Sequence, residues 1–354
     1  MRNGQNRRTL ARGALTAIAA FALFAAALPA TDAVAQQTTL RFHTFVPPVS
    51  GSYKSLAWWA KKVEADSAGT LKIQMFGSMQ LGGKAPDLYD QARNGVVDIV
   101  YTLPGYKGGL FPAITVFELP FIGSRAEIAA PAVDAFARKY GEEWSEVRPI
   151  LVWSAGISVL HMKTRPIRKL EDFAGLKLRT PSRISSTALT SLGATPVPIP
   201  GLKMTEAMMR NVVDGAVTPW SIALAIRTVD VARYHTETTL HGPVLALLMN
   251  KNSYARLPAK AKAAVDANSG EWLAQEFGRR WEADDKRGYD KAKKLGHEII
   301  RIPDAEEARW RKAAQPAYDG WIKEMNDRGL PGRQMVEDAE RLVAKYKAAL
   351  KNKK

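Results

Sequence analysis

Leu40-Arg41-Phe42-His43-Thr44-Phe45, Leu71-Lys72-Ile73-Gln74-Met75-Phe76 and Val96-Val97-Asp98-Ile99-Val100-Tyr101 decide the architecture. The first two alternate apolar and polar residues with the period of a strand, and the third is a hydrophobic strand entered through Gly95. Between them, Tyr53 to Ser67 carries a helical stripe of Leu56, Trp59, Ala60 and Val63 after the break at Pro47-Pro48, and Asp87 to Asn94 reads as a short helix. Strands alternating with helices over short connections make a parallel sheet with helices on both faces. The amino-terminal part is therefore an α/β unit.

Working outward, the pattern repeats. Val147 to Trp153 is another buried strand, and Gly156 to Met162 follows with a change of character. Lys169 to Phe173 makes a turn of helix, Gly175 to Arg179 a strand, Ser185 to Leu192 a helix ending at Gly193, Met204 to Asn211 a helix and Val212 to Val217 a strand. No Gly/Ser linker separates the two sets of units, so crossing strands are expected to join two lobes, with Leu245 to Asn250 returning to the first. Pro258 to Gly296, with Leu273, Phe277 and Trp281 at four-residue spacing, predicts one long or slightly broken helix that serves as a packing spine across both lobes. Ala305 to Arg328 is amphipathic and open to splitting at Pro316, and Gln334 to Leu350 is a last helix.

The chain has 354 residues, 51 Lys plus Arg against 35 Asp plus Glu, and no cysteine. That length accommodates two core-bearing lobes, and 46% apolar with 24% charged residues excludes disorder and a polytopic membrane protein. Without cysteine, a thiol nucleophile, a disulfide framework and a thiolate metal site are all excluded. Residues 1–35 read as a signal peptide: Arg2, Arg7, Arg8 and Arg12, then the apolar run Ala14 to Leu28, then Ala33-Val34-Ala35 before a cleavage point at Gln36. The run is short for a membrane anchor. Export to the periplasm is expected, by the Sec route as the default over the twin-arginine route that Arg7-Arg8 faintly suggests. Of the formal +16, four arginines and Asp32 carry +3, which leaves +13 on residues 36–354. No stretch interleaves basic residues with aromatics, so nucleic acid is not an expected partner. The diffuse positive field suits an anion.

Catalytic motifs are missing. The five histidines, His43, His161, His235, His241 and His297, show no metal-ligand spacing, and no GxSxG, P-loop or GxGxxG after a strand is present. The glycines of Gly105 to Gly109 read as a plain loop, and the pairs Asp284-Asp285 and Glu306-Glu307 as solvated helix faces. Neither a cofactor nor a metal is expected, and the chain is not expected to be an enzyme.

Gly175-Leu176-Lys177-Leu178-Arg179-Thr180-Pro181, Leu192-Gly193-Ala194-Thr195-Pro196-Val197-Pro198 and Val212-Val213-Asp214-Gly215-Ala216-Val217-Thr218-Pro219, in this order, resemble the substrate-binding proteins of tripartite ATP-independent periplasmic (TRAP) transporters, the DctP family. Gln80-Leu81-Gly82-Gly83 and Phe117-Glu118-Leu119-Pro120-Phe121 match further patterns of that family, and the likeness spans the mature chain. The resemblance implies a monomeric, two-lobed fold of the periplasmic-binding-protein type, each lobe a mixed, mostly parallel sheet flanked by helices, closing on an organic anion for delivery to membrane permease subunits. The expected division is 36–156 plus 245–284 for lobe I, 157–244 plus 285–340 for lobe II, and a basic, solvated tail at 341–354. An exported hydrolase or lyase, or a receptor serving a sensor kinase, is the alternative.

The resemblance also implies that Arg179 holds a ligand carboxylate, a role that suits a guanidinium fork. Read without the family, Arg179 is equally a surface arginine at a strand end. Many members that bind sialic acid or dicarboxylates carry a second arginine where this chain has Val159, sialic-acid binders have an asparagine where it has Thr218, and members that bind 2-oxo acids through a cation have an acid after Asp-Gly. His43, Phe45, Tyr101, Tyr106, Trp153 and Trp220, with Thr218, lie at or just beyond strand ends, where ligands of open α/β sheets sit, although each aromatic could as well be core. Together they predict a monocarboxylate with an apolar or aromatic body, whose distal hydroxyl could meet His43 or a tyrosine.

Overall fold

The computed structural model describes residues 37–352. Along the chain these form β1 Thr38–Thr44, α1 Gly51–Asp66, β2 Leu71–Phe76, α2 Leu88–Arg93, β3 Ile99–Thr102, α3 Ala126–Lys139, β4 Arg148–Ser154, β5 Val159–Met162, β6 Lys177–Thr180, α4 Arg183–Ser191, β7 Thr195–Pro198, α5 Met204–Met209, β8 Gly215–Thr218 and α6 Trp220–Ala225. There follow α7 Thr228–Val231, β9 Tyr234–Glu237, β10 Val244–Met249, α8 Lys251–Ala255, α9 Ala259–Ala267, α10 Gly270–Lys294, β11 Glu298–Arg301, α11 Asp304–Ala313, α12 Gln315–Asp327 and α13 Gly332–Lys351. Among the described residues no helix is long and apolar enough to cross a membrane. The signal peptide expected over residues 1–35 lies outside this span, as do Lys353 and Lys354.

Two sheets carry the fold, ordered β2-β1-β3-β10-β4 and β11-β9-β5-β8-β6-β7. β1 pairs in parallel with β2 and β3, whereas β10 runs antiparallel between β3 and β4. In the second sheet β5 is the antiparallel strand, between β8 and β9, and the other pairings are parallel. The chain crosses between sheets at 155–158, leaving β4 for β5, and at 238–243, leaving β9 for β10. Each returning strand enters the middle of its new sheet, so every residue of β5 and β10 is buried. A strand covered on both faces must be apolar throughout, and Val244-Leu245-Ala246-Leu247-Leu248-Met249 is.

One large core fills lobe I; the second lobe has three smaller ones, around Phe173 and Trp310, around Met204 and Met208, and around Trp220 and Val229. The long helix α10 packs on α3 of the first lobe and on α6 of the second. Its amphipathic stripe, Leu273, Phe277 and Trp281, enters the lobe I core.

Several expectations need adjustment. The spine takes the broken form of the two expected: α9 ends at Ala267, and α10 restarts at Gly270, whose φ of +74° no continuous helix contains. The third strand begins at Ile99, because the Asp98 side chain is engaged by the Arg41 amide and the Ser253 hydroxyl in the turn before it. The amphipathic segment divides at Ala314, leaving Pro316 in the first turn of α12 where its missing N–H costs nothing. Residues 341–351 are no separate tail. They complete α13, which packs on α3, and Tyr346 is buried there with Met335 and Ala339. Trp321 and Met325 of α12 join the same core, while the other side of α12 packs on α4 of lobe II, where Glu324 pairs with Arg183 at 2.6 Å.

Candidate functional site

Between the two sheets lies a small cavity lined by residues of both lobes. The first lobe contributes Phe45 after β1, Tyr101 of β3, and the turn that holds Leu103 and Tyr106. The second contributes Arg179 of β6, Gly201, and the end of β8 through Pro219. Ala155, Ser158 and Pro243 come from the two crossing segments and floor the space between.

Arg179 is the one cation in this wall, and the wall has no acidic side chain. Its guanidinium is only 4% exposed. Nε donates to the Ile199 carbonyl at 2.7 Å and Nη1 to the Val217 carbonyl at 3.3 Å, but no carboxylate lies within ion-pair distance among the described residues. Burial pulls its pKa down to about 10, against the opposing effect of the Tyr106 hydroxyl, so it remains charged at neutral pH. A buried charge without a counter-charge is costly. An anionic ligand would relieve that cost, and the two backbone bonds fix the fork that meets it.

The rest of the wall is aromatic and apolar. Tyr101 is stacked between Phe45, at 5.3 Å between centroids, and Trp153, at 5.6 Å. Tyr106 meets Phe45 edge-on at 6.1 Å, and its hydroxyl receives the Gly201 amide from across the cleft. Glu118 is buried near Ser182, the residue that caps α4; its Oε2 has no hydrogen-bond partner among the described residues, and burial pushes its carboxyl up to about 7.

Residues 42–324 match the model of the bacterial extracellular solute-binding proteins, family 7 (DctP). The chain belongs to this family. A TRAP solute-binding protein from Rhodoferax ferrireducens, solved with copurified benzoate, is 34% identical, with a TM-score of 0.86 over 89% of this chain and 100% of that one. A marine metagenome TRAP solute-binding protein specific for aromatic acid ligands, solved with 3-hydroxybenzoate, is also 34% identical, with a TM-score of 0.85 over 88% and 99%. Among curated relatives, the 2,3-diketo-L-gulonate-binding periplasmic protein YiaO of Escherichia coli is 23% identical over 88% of this chain and 94% of its own.

Of the residues expected at the site of this DctP-family protein, Phe45, Tyr101, Tyr106, Arg179 and Thr218 are brought together around the cavity. His43, Trp153 and Trp220 are not. His43 is buried on the far side of β1, where Nδ1 pairs with Gln91 Oε1 at 2.7 Å and Nε2 accepts from the Leu81 amide at 3.3 Å. Trp153 lies one layer back, wedged between Tyr101, Phe277 and Trp281. Trp220 turns behind β8, packs on His161 and His235, and donates to Glu237 at 3.2 Å. Ser158, Gly201 and Ile222 line the cavity without any sequence signal; Pro181 and Pro219 were visible as the prolines closing the two family motifs. Asp285 is not on a solvated face: it is buried and accepts the Ser221 amide at 2.7 Å, and burial raises its pKa to about 7.

Behind the wall, three histidines form a chain whose tautomers follow from its ends. The Thr218 carbonyl can only accept, so His161 Nε2 donates to it at 3.2 Å and His161 Nδ1 is left as an acceptor. His235 Nδ1 therefore donates to His161 Nδ1 at 2.7 Å, His297 Nδ1 donates to His235 Nε2 at 3.1 Å, and Arg233 Nη1 donates to His297 Nε2 at 2.9 Å. No ring has a place for a second proton. Burial holds all three below the usual imidazole range, His161 at about 3 and His235 at about 2, with the neighbouring rings adding to it at His235 and Arg233 and Lys291 adding to it at His297, and burial holds His241 at about 4.

Because these folded-state values are depressed, the stability they contribute is present above pH 6.5 and is lost as pH falls, by up to about 1.4 kcal/mol per pH unit for each buried ring. Glu118 and Asp285, raised to about 7, and Glu143, raised to about 8 by burial, act in the opposite sense: their contribution is complete below about pH 4 and is lost as pH rises through 7 to 8. The two sets of slopes largely cancel between about pH 4.5 and 6.5, so stability of the ligand-free protein is expected to be nearly flat there and to fall on either side. Denaturant melts at pH 4, 5.5 and 7.5 check this, and a maximum at 7.5 would contradict it.

Proposed function

We propose that this chain is the periplasmic receptor of a TRAP transporter that captures an aromatic monocarboxylate between its lobes and hands it to the membrane permease. The observation that carries the reading is Arg179, a buried guanidinium without an acidic partner in a cavity wall whose other residues are all uncharged. One carboxylate satisfies the fork; the aromatic face of Phe45, Tyr101 and Tyr106 suits a flat ring. A dicarboxylate would leave its second charge facing Leu103, Pro243 and Leu245 with no cation to meet it. The solved relatives at 34% identity, bound to benzoate and to 3-hydroxybenzoate, support the same class. Export through the amino-terminal signal is part of this reading.

A thermal-shift screen over mono- and dicarboxylates tests it. A ligand present at 100 times its Kd adds about 2.7 kcal/mol to stability, so aromatic acids are expected to raise Tm more than succinate or malate. A larger shift with either dicarboxylate would overturn the specificity. The bound acid should be recovered unchanged after incubation, because a receptor has no turnover; consumption of the acid would favour the hydrolase or lyase reading.

A further inference from the structure

Two hydroxyls in the cavity wall are buried and have no hydrogen-bond partner among the described residues: Tyr101 Oη and Ser158 Oγ. A buried hydroxyl left unpaired is costly, so both mark places where the bound state supplies an oxygen or nitrogen. The carboxylate does not need them. Two of the five guanidinium N–H groups of Arg179 are held by Ile199 and Val217, and the remaining ones suffice for a two-pronged carboxylate contact.

Their placement separates them from the anion end. Tyr101 belongs to β3 in the first lobe, with its ring clamped by Phe45 and Trp153, whereas Arg179 rises from β6 in the second. Neither hydroxyl is hydrogen-bonded to Arg179, whose observed bonds go to Ile199 and Val217. Ser158 is held from outside the cavity, its amide donating to the His241 carbonyl at 2.8 Å, at the point where the chain crosses between lobes. Phe45 and Ala155 fill the wall beside these hydroxyls with carbon. The cavity thus has an ionic end and a second, neutral polar end.

We propose that Tyr101 Oη and Ser158 Oγ read a ring hydroxyl, and that the ligand is a hydroxylated benzoate-type acid, not the bare aromatic acid. This rests on the aromatic-acid reading above and narrows it to a substituted ring. The pair determines specificity without touching the carboxylate. A site built to hydrogen-bond a hydroxyl discriminates against the ligand that lacks it, because the protein groups are then left unpaired.

The experiment is calorimetric titration of the purified protein with benzoate, 3-hydroxybenzoate and 4-hydroxybenzoate, repeated on Tyr101→Phe, Ser158→Ala and the double variant. The wild type is expected to bind one hydroxybenzoate isomer about 10-fold or more tightly than benzoate. In the double variant the hydroxybenzoate should lose more affinity than benzoate, so that the preference collapses, and each single variant should remove part of it. If benzoate loses as much as the hydroxy acid, the hydroxyls hold the carboxylate and the proposal fails. It fails equally if the wild type shows no preference, or if the preference survives both substitutions. Absence of binding by all three acids, alongside binding of a non-aromatic acid, would overturn the aromatic reading itself. The single variants carry the test should the double variant not fold.

Discussion

Arg179→Ala is expected to weaken binding of an aromatic acid by about 2–5 kcal/mol, the usual cost of leaving one member of a buried charge pair without the other. The loss should appear as faster dissociation, since the contact forms inside the cleft and not at its rim. Arg179→Lys keeps the charge but loses the planar fork and the bonds to Ile199 and Val217, so it should recover only part of the affinity. Stability should respond differently. Without ligand, the guanidinium is buried with no acidic partner, and Arg179→Met, which retains the apolar stem, is expected to leave the Tm of the ligand-free protein unchanged or raise it. Calorimetry and thermal melts on the same variants separate the two effects. Near-wild-type affinity in Arg179→Ala would remove this residue from the site.

The second large effect is expected in α10. Gly278 and Gly288 lie ten residues apart, about 15 Å along the helix. At Gly278 an added Cβ would come within 2.7 Å of the Ala126 carbonyl oxygen in α3 of lobe I; at Gly288 it would come within 2.5 Å of the Trp220 carbonyl oxygen in α6 of lobe II. Both obstacles are backbone, so neither yields by a rotamer change. The spine touches each lobe through a glycine. Either substitution to alanine should cost roughly 1–3 kcal/mol as overpacking, or several degrees of Tm in a chain of this size. Only one should reach the ligand. Trp220 follows Pro219 and precedes Ile222, both in the cavity wall, so Gly288→Ala should also lower affinity, whereas Gly278→Ala presses on Ala126, whose neighbour Gly156 adjoins the wall without lining it, and should leave affinity nearly unchanged. Equal affinities in the two variants would show that the wall does not register shifts of α6.

Much of the fold was legible because periodicity is local. The alternation in Leu71 to Phe76 and the stripe through Leu56, Trp59 and Val63 each require only neighbouring residues, and both elements form where the pattern places them. Boundaries were less legible wherever a distant partner set them, as at Asp98, whose side chain is claimed by Arg41 and Ser253 before β3 begins. The carboxy-terminal helix shows the same limit: Lys345, Lys347 and Lys351 mark an exposed face, but only packing on α3 shows that Tyr346, among them, belongs to a core.

For the site, strand-end position picked out Phe45, Tyr101 and Tyr106, and the family motifs Arg179 and Thr218, which the structure gathers around one cavity, yet could not say which way a side chain at a strand end turns. His43 and Phe45 have the same parity on β1, and only the bend after Thr44 sends one to Gln91 and the other to the cavity. Trp153 and Trp220 carry the residue type expected of a ligand contact and serve as backing for it.

The amino-acid sequence by itself therefore determined the class of fold and the family, and singled out Arg179 as the anion contact proposed above, through local periodicity and short motifs. Tertiary structure alone decided that Arg179 is buried without an acidic partner, that Ser158 and Tyr101 face the cavity with free hydroxyls, and that three dispersed histidines join into one chain. Charge compensation and hydrogen-bond satisfaction depend on which atoms meet across the two crossing segments, and no spacing along the chain encodes that meeting.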